Sequence, residues 1–293
     1  MSASALILVL LAGLVHAAWN LAAKKAGGDA RFTFLATSIS LLVWSPLAWW
    51  FGAGEVTTWG WQQWSLVGLS GLMQTFYFVA LLRGYGMADL TLVYPLARGS
   101  GPLIATAVAV LALGEPISVL GLSGMAAVVL GICLLAGLTN HVRGMPHRPH
   151  SSQVRKGVFY GLLTGLCIAS YTVTDSIALN RFGMAPASLL YCVTWAVLLY
   201  LLPAVLSKPH ELAAICAKQW RYAVVVGVAG PVSYVLVLFA LRQAPLSHVA
   251  PAREVAMLFA AMLGGRFLGE ENRAARIAGA VSMGLGIVAL AWG

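Results

Sequence analysis

The sequence predicts an all-α integral membrane protein of ten transmembrane helices, arranged as two inverted five-helix repeats. Three observations predict it. Apolar residues make up 60% of the 293 and charged residues only 9%. A soluble domain carries roughly 25% charged residues, so the solvent of this surface is lipid. The apolar residues fall into ten runs, each near the length that crosses a hydrocarbon core. Finally, a motif occurs twice. Ala97-Arg98, Leu113-Gly114-Glu115, Gly124 and Gly131 return, without a gap, as Ala252-Arg253, Leu268-Gly269-Glu270, Gly279 and Gly286. With an odd number of spans per copy, the second copy enters the bilayer from the opposite side. Inverted repeats around a midplane site are the architecture of many secondary transporters.

The spans follow in order. The first, 4–23, has no basic segment before it and Lys24-Lys25 after it, so it reads as a retained helix and not a secretion signal. Spans 32–53 and 64–82 follow with short loops. Span 90–113 carries Pro95 and Arg98, and span 117–138 starts just after Glu115-Pro116. An acid at a helix start satisfies free amides and the positive end of the helix dipole. Glu115 and Glu270 therefore read as structural. Residues 138–155 form a basic linker with Pro146, Pro149, Ser151 and Ser152, a solvated loop by composition. Spans 158–179, 185–206 and 222–241 open the second copy. Span 246–268 carries Pro251, Arg253 and Glu254, and span 277–292 closes the chain. The division is 1–137 for one repeat, 138–155 for the linker and 156–293 for the other. Short loops make each repeat read as a compact bundle of neighbouring helices. A β-barrel is excluded because the runs are continuous rather than alternating.

Smaller signals fit the same class. Gly157, Gly161 and Gly165 make one small-residue face, and Gly124 and Gly131 share a face matched by Gly279 and Gly286. Such faces let helix backbones approach closely in lipid. Cys133, Cys167, Cys192 and Cys216 form no CxxC pair and read as packing residues. Trp44, Trp49, Trp50, Trp59, Trp61, Trp64 and Trp220 lie near span ends as interfacial anchors. The net charge of +9 sits in short loops and reports orientation, not nucleic acid. Fourteen of the eighteen Lys and Arg lie on the side of the 139–157 loop, and Arg181 and Arg242 lie on the other. The positive-inside rule then puts that loop in the cytoplasm and both termini outside. His147 and His150 have no acidic or cysteine partner nearby, so no metal site is expected. No G-x-x-x-x-G-K-[ST] loop is present to cradle a nucleotide. No catalytic set is visible and no cofactor is implied, so the chain does not read as an enzyme.

Residues 95–135, PLARGSGPLIATAVAVLALGEPISVLGLSGMAAVVLGICLL, resemble the C-terminal part of an EamA-type repeat of the drug/metabolite transporter superfamily. Residues 250–290 resemble it again, with RFLGEE and GAVSMGLGIVAL. Within that superfamily the chain is most similar to the bacterial exporters of aromatic amino acids. The resemblance implies ten helices, an inverted five-plus-five repeat, and a central cavity lined by helices one, three, four, six, eight and nine. One departure stands out: Lys24 aligns with Ser176, so the first and sixth spans share no charge symmetry.

Ionisable groups inside spans cost several kcal/mol unless paired or wetted, and are functional candidates by default. They are Arg98, Asp175, Arg253 and Glu254. Arginine can grip a substrate carboxylate with two parallel hydrogen bonds. Equally, Arg253 can neutralise a carboxylate on a neighbouring helix or bond a broken helix's backbone. Proline frees a helical carbonyl, so Pro95 and Pro251 predict bends beside both arginines. A water-filled cavity exposing at least one arginine is expected there. Polar and aromatic candidates around them are His16, Trp19, Asn20, Gln74, Tyr77, Phe78, Tyr94, Tyr171 and Tyr234. The rings either pack the core or line a pocket for a flat solute. His16 suits either scaffolding or proton coupling, and Asp175 suits coupling also.

The function expected is a secondary exporter of small amphipathic metabolites, aromatic or other neutral amino acids, by alternating access. The alternative is an exporter of cationic drugs or an exchanger of other small metabolites. The expected partners are that solute and membrane lipid, with no nucleic acid. The chain reads as a multi-pass monomer of the bacterial cytoplasmic (inner) membrane.

Overall fold

In the computed structural model the described residues are 1–26, 29–87, 90–135, 151–264 and 273–292, and all their regular structure is helical. The helices are α1 (Ala3–Ala26), α2 (Ala30–Val56), α3 (Trp61–Met87), α4 (Leu90–Leu111), α5 (Val119–Leu135), α6 (Ser151–Asn180), α7 (Pro186–Leu206), α8 (Pro209–Leu241), α9 (Leu246–Ala252), α10 (Val255–Gly264) and α11 (Arg273–Trp292). In lipid a backbone must satisfy its own polar groups, and helices do this within one segment. Six of the helices, α1, α2, α3, α6, α7 and α8, are long and apolar enough to cross a bilayer. Shorter apolar stretches occupy α4, α5 and α11.

Two of the expected spans need correction. The ninth span is not one helix but two, α9 and α10, separated at Arg253-Glu254. The cause is local: Pro251 lacks an N–H, so the Ser247 carbonyl loses its helical donor. Thr106 Oγ1 on α4 supplies a replacement at 3.3 Å. The amides of Glu254, Ala256 and Met257 then bond carbonyls three residues back, a tighter turn than the α-helix. The second correction concerns α8, which starts at Pro209 rather than 222. Lys218 and Arg221 are thus on a helix, and Pro209 and Glu211 occupy its first turn.

The repeats do not form two separate bundles, as short loops suggested. Most of the packing crosses between them: α1 on α8, α3 on α6, α2 on α7 and α8, α4 on α6 and α9, and α5 on α11. Each such pairing has its repeat mate, since α1 corresponds to α6 and α3 to α8. The α5–α11 seam shows the inversion directly. A Cβ on Gly124 would meet Gly286 O at 2.7 Å, and one on Gly131 would meet Gly279 O at 2.7 Å. Ser282 Oγ donates to Ala127 O at 2.8 Å between them. Numbers rise on one helix as they fall on the other, so these mate helices run antiparallel. The glycines serve packing, as their spacing predicted. Gly161 and Gly165 do the same for α6, facing Leu96 and Ser100 on α4.

The face that carries both termini is tied across the repeats. Gly114 has φ +70°, which glycine adopts without a Cβ penalty. The Glu115 amide closes the end of α4 on Ala109 O. That turn aims the Glu115 carboxylate at the free amides of Leu246 and Ser247, at 3.0 and 2.9 Å. Glu115 is therefore a helix cap, but of α9 and not of its own span. Glu55 caps α7 likewise, accepting from Ala185 N at 2.7 Å and Ser188 Oγ at 2.8 Å. The N-terminal amine donates to Ala291 O at 2.6 Å and Ser4 Oγ to Gln243 Oε1 at 2.6 Å. At the opposite, basic face Arg31 pairs with both Asp29 and Glu211 at 2.8 Å. A cavity of about 410 Å³ lies there too, bordered by Met87, Arg155, Lys156, Phe159 and Tyr160.

Most of the tryptophans expected at span ends are exposed, including Trp49, Trp50 and Trp61. Trp44 is half-buried, and Trp59 is buried, edge-on to Trp64 at 5.4 Å. All four cysteines are free. Glu270, His147 and His150 lie outside the described residues.

Candidate functional site

The break between α9 and α10 puts a carboxylate in the middle of the molecule. Glu254 is fully buried, and only an opposite charge makes that tolerable. Its Oε2 lies 2.9 Å from Arg98 Nε on α4 and its Oε1 lies 3.5 Å from Arg253 Nε. Both contacts are ion pairs by proximity without the alignment of a hydrogen bond. The repeat-mate arginines thus converge on one acid, and the Arg98–Glu254 pair joins the two repeats.

The arginines are themselves buried, Arg98 at 7% and Arg253 at 9% exposure. The expected exposure of one of them is not met in this conformation. Of the two roles left open by the sequence, pairing with a carboxylate is the one the geometry displays. Their other nitrogens are also engaged. Arg98 Nη2 donates to His16 Nε2 at 3.3 Å, which fixes that ring nitrogen as the acceptor. Arg253 Nη1 donates to Thr172 Oγ1 at 3.2 Å, and its guanidinium carbon sits 5.9 Å from the Tyr171 ring centre. Because Glu254 is spent on both arginines, it is not free to receive a substrate amine.

A second cluster lies beside the first, on α3, α6 and α8. Asp175, 1% exposed, accepts a hydrogen bond from Tyr234 Oη on Oδ2 at 2.5 Å. Ser70 lies alongside, itself an acceptor for Gln74 Nε2 at 3.3 Å. Tyr171 stands edge-on between Tyr77 at 6.2 Å and Tyr234 at 5.9 Å, and Phe78 tilts against Tyr77 at 4.8 Å. Edge-to-face aromatic contacts of this kind add roughly 0.5–1.5 kcal/mol each beyond burial. On α1, His16 meets Trp19 edge-on at 4.7 Å, and Trp19 Nε1 donates to Ser233 Oγ at 3.1 Å. All these rings are half-buried.

The fold therefore gathers Trp19, His16, Tyr77, Phe78, Arg98, Tyr171, Asp175, Tyr234, Arg253 and Glu254 from five helices and one helix break. Two candidates contribute less. Asn20 turns back to the His16 carbonyl at 2.9 Å, and Gln74 reaches only its neighbour Ser70. The Tyr94 side chain lies outside the described residues. Sequence reasoning missed Ser70, Thr106 and Glu55. Ser70 had one signal, its place one turn before Gln74 on the same face. Thr106 and Glu55 act across the repeats and had none. Among the described residues no cluster of His, Cys, Asp and Glu has the makings of a metal site.

Comparison with known proteins bears on the family and the fold. The sequence matches the EamA-like transporter family twice, over residues 3–137 and 155–292. No curated protein matches it. A solved crystal structure, titled only as that of a protein, superposes with a TM-score of 0.77. It covers 100% of this chain and 98% of its own at 16% identity, which shows a shared fold alone. The chain belongs to the EamA-like transporter family, whose members are multi-pass membrane transporters.

Proposed function

We propose that this transporter exports small amphipathic metabolites, aromatic or other neutral amino acids, through ten membrane-spanning segments by alternating access between the repeats. It would do so in the bacterial cytoplasmic membrane. The observation that carries the reading is the pairing of a charge cluster with a row of rings where the repeats meet. Two guanidiniums share one carboxylate, Glu254, so that trio holds one positive charge in excess. A substrate carboxylate would supply the missing negative charge. Arg253 is the better receiver, because its contact with Glu254 is longer than that of Arg98. The substrate ring would lie among Trp19, Tyr77 and Tyr171. Its amine would meet Asp175.

Alternating access asks for a joint that differs between states, and the break at Arg253-Glu254 is a natural one. The ties on the terminal face support a state closed at that face. The charge distribution supports a cytoplasmic basic face, so this state would be open inward. A cysteine at Ser152→Cys should then resist labelling from outside intact cells, and ready labelling would reverse the orientation.

The test of function is uptake by purified protein in lipid vesicles, screened against the twenty amino acids. Faster exchange of phenylalanine, tyrosine and tryptophan than of acidic or basic residues is expected. Transport of none of the twenty would sink the reading. A second reading, export of cationic drugs, is favoured by Asp175 among tyrosines. Transport of lipophilic cations in place of amino acids would select it.

A further inference from the structure

We infer that Asp175 is a cation-exchange site, holding a proton or a substrate ammonium but never both. The inference rests on the amine-bearing substrate class proposed above.

Four observations carry it. Asp175 is buried in the last two turns of α6, and none of the described cations lies within ion-pair distance of it. Glu254, the other fully buried acid described, is committed to two arginines. The two oxygens of Asp175 differ: Oδ2 receives the Tyr234 hydroxyl, while Oδ1 is buried without an aligned hydrogen bond, and the Ser70 hydroxyl beside the carboxylate is neutral and leaves its charge unpaired. A buried carboxylate oxygen left in this state costs free energy until a proton or a cation reaches it. Lastly, Tyr171 and Tyr234 stand beside it, and aromatic faces attract an ammonium as well as a ring.

The neighbours leave this position to a small cation. From α8 comes Tyr234, and from α3 the neutral Ser70. Tyr171 lies one turn away on α6. The break after α9 brings Arg253, which is held by Glu254 and Thr172. The charged residue on α4 is Arg98, paired with Glu254. His248, the ionisable group of α9, bonds Ser247 at 3.2 Å. No residue on α7 is charged.

The exchange balances simply. An arriving R–NH₃⁺ donates an N–H to Oδ1 of the acid. The acid's O–H bond breaks and its electron pair stays on oxygen. The proton leaves to water on whichever side is open, and the ammonium keeps its three protons. Because one oxygen serves both cations, loading substrate expels a proton, and reloading the proton expels substrate. Switching between the two open states then couples one ammonium outward to one proton inward.

The experiment combines two readouts on wild type and Asp175→Asn. In vesicles with a trapped pH dye, phenylalanine entering through wild type should raise the internal pH. In Asp175→Asn the dye should stay silent, and phenylalanine exchange should fall about tenfold or more, the equivalent of one charge-assisted hydrogen bond. Infrared spectroscopy on purified protein needs no transport. Wild type should show a protonated-carboxyl stretch that is absent in Asp175→Asn and bleached by phenethylamine. Dye responses of equal size in both proteins would overturn the inference. So would phenylalanine exchange by wild type with no pH change, which leaves the substrate reading intact. If no amino acid crosses any vesicle, the substrate reading fails, and the bleaching by phenethylamine still decides the exchange site. Should Asp175→Asn not fold, Tyr234→Phe keeps the acid and strips its partner. The carboxyl band should then move, and an unmoved band would overturn the assignment.

Discussion

The α5–α11 seam and the α4/α9–α10 region are built from the same duplicated motif, yet they turned out differently. At the seam the mates are interchangeable: glycine faces glycine at nearly equal distances on an antiparallel pair. At the site Arg98 sits on an unbroken helix and Arg253 sits at a break. One residue further on, Gly99 corresponds to Glu254. The duplication supplied two arginines, and the second copy alone supplied the acid they share. The seam is where symmetry holds the repeats together. The site is where asymmetry lets one carboxylate serve both.

The largest expected effect comes from removing that carboxylate. Glu254→Gln leaves two buried guanidiniums facing each other and should cost about 3–5 kcal/mol, seen as a lower melting temperature in detergent. A change of under about 1 kcal/mol would mean that water already screens the arginines. Next in size are the seam glycines. Gly131→Ala and Gly286→Ala each push a methyl onto a mate helix's backbone, and each should cost about 1–3 kcal/mol. As repeat mates they should cost the same, and a clear inequality would break the symmetry drawn here. Smaller again is Thr106→Val, which removes the donor to the Ser247 carbonyl at the break. About 1 kcal/mol is expected, and no loss at all would mean the carbonyl needs no partner.

The two regions also differ in how much the sequence disclosed. Seam glycines announce themselves, because helical spacing and the repeat offset are both local patterns. The apolar runs were legible for the same reason. The start of α8 was not, because Glu211, Lys218 and Arg221 lower the hydropathy of its first turns, although Pro209 is a helix-start signal. Pro251 announced a bend at the site. A full break also needed Thr106 from another helix, and nothing in the spacing of residues discloses that. The Asp175–Tyr234 bond, the joint grip on Glu254 and the capping of α9 by Glu115 all join residues from different helices. A sequence names such residues without naming their partners.

The comparison of the mate arginines leads to the most direct test. Arg98 is held closer to Glu254 and reads as scaffold; Arg253, held more loosely beside Tyr171, reads as the receiver of a substrate carboxylate. Lysine keeps the charge and loses the planar fork. The measurement is binding of phenylalanine and of phenethylamine, its decarboxylated form, to purified Arg253→Lys and Arg98→Lys proteins. Arg253→Lys should weaken phenylalanine about tenfold more than phenethylamine, as expected for one lost charge-assisted bond. Arg98→Lys should weaken both alike. Equal loss of the two ligands in Arg253→Lys would contradict the account and make both arginines scaffold.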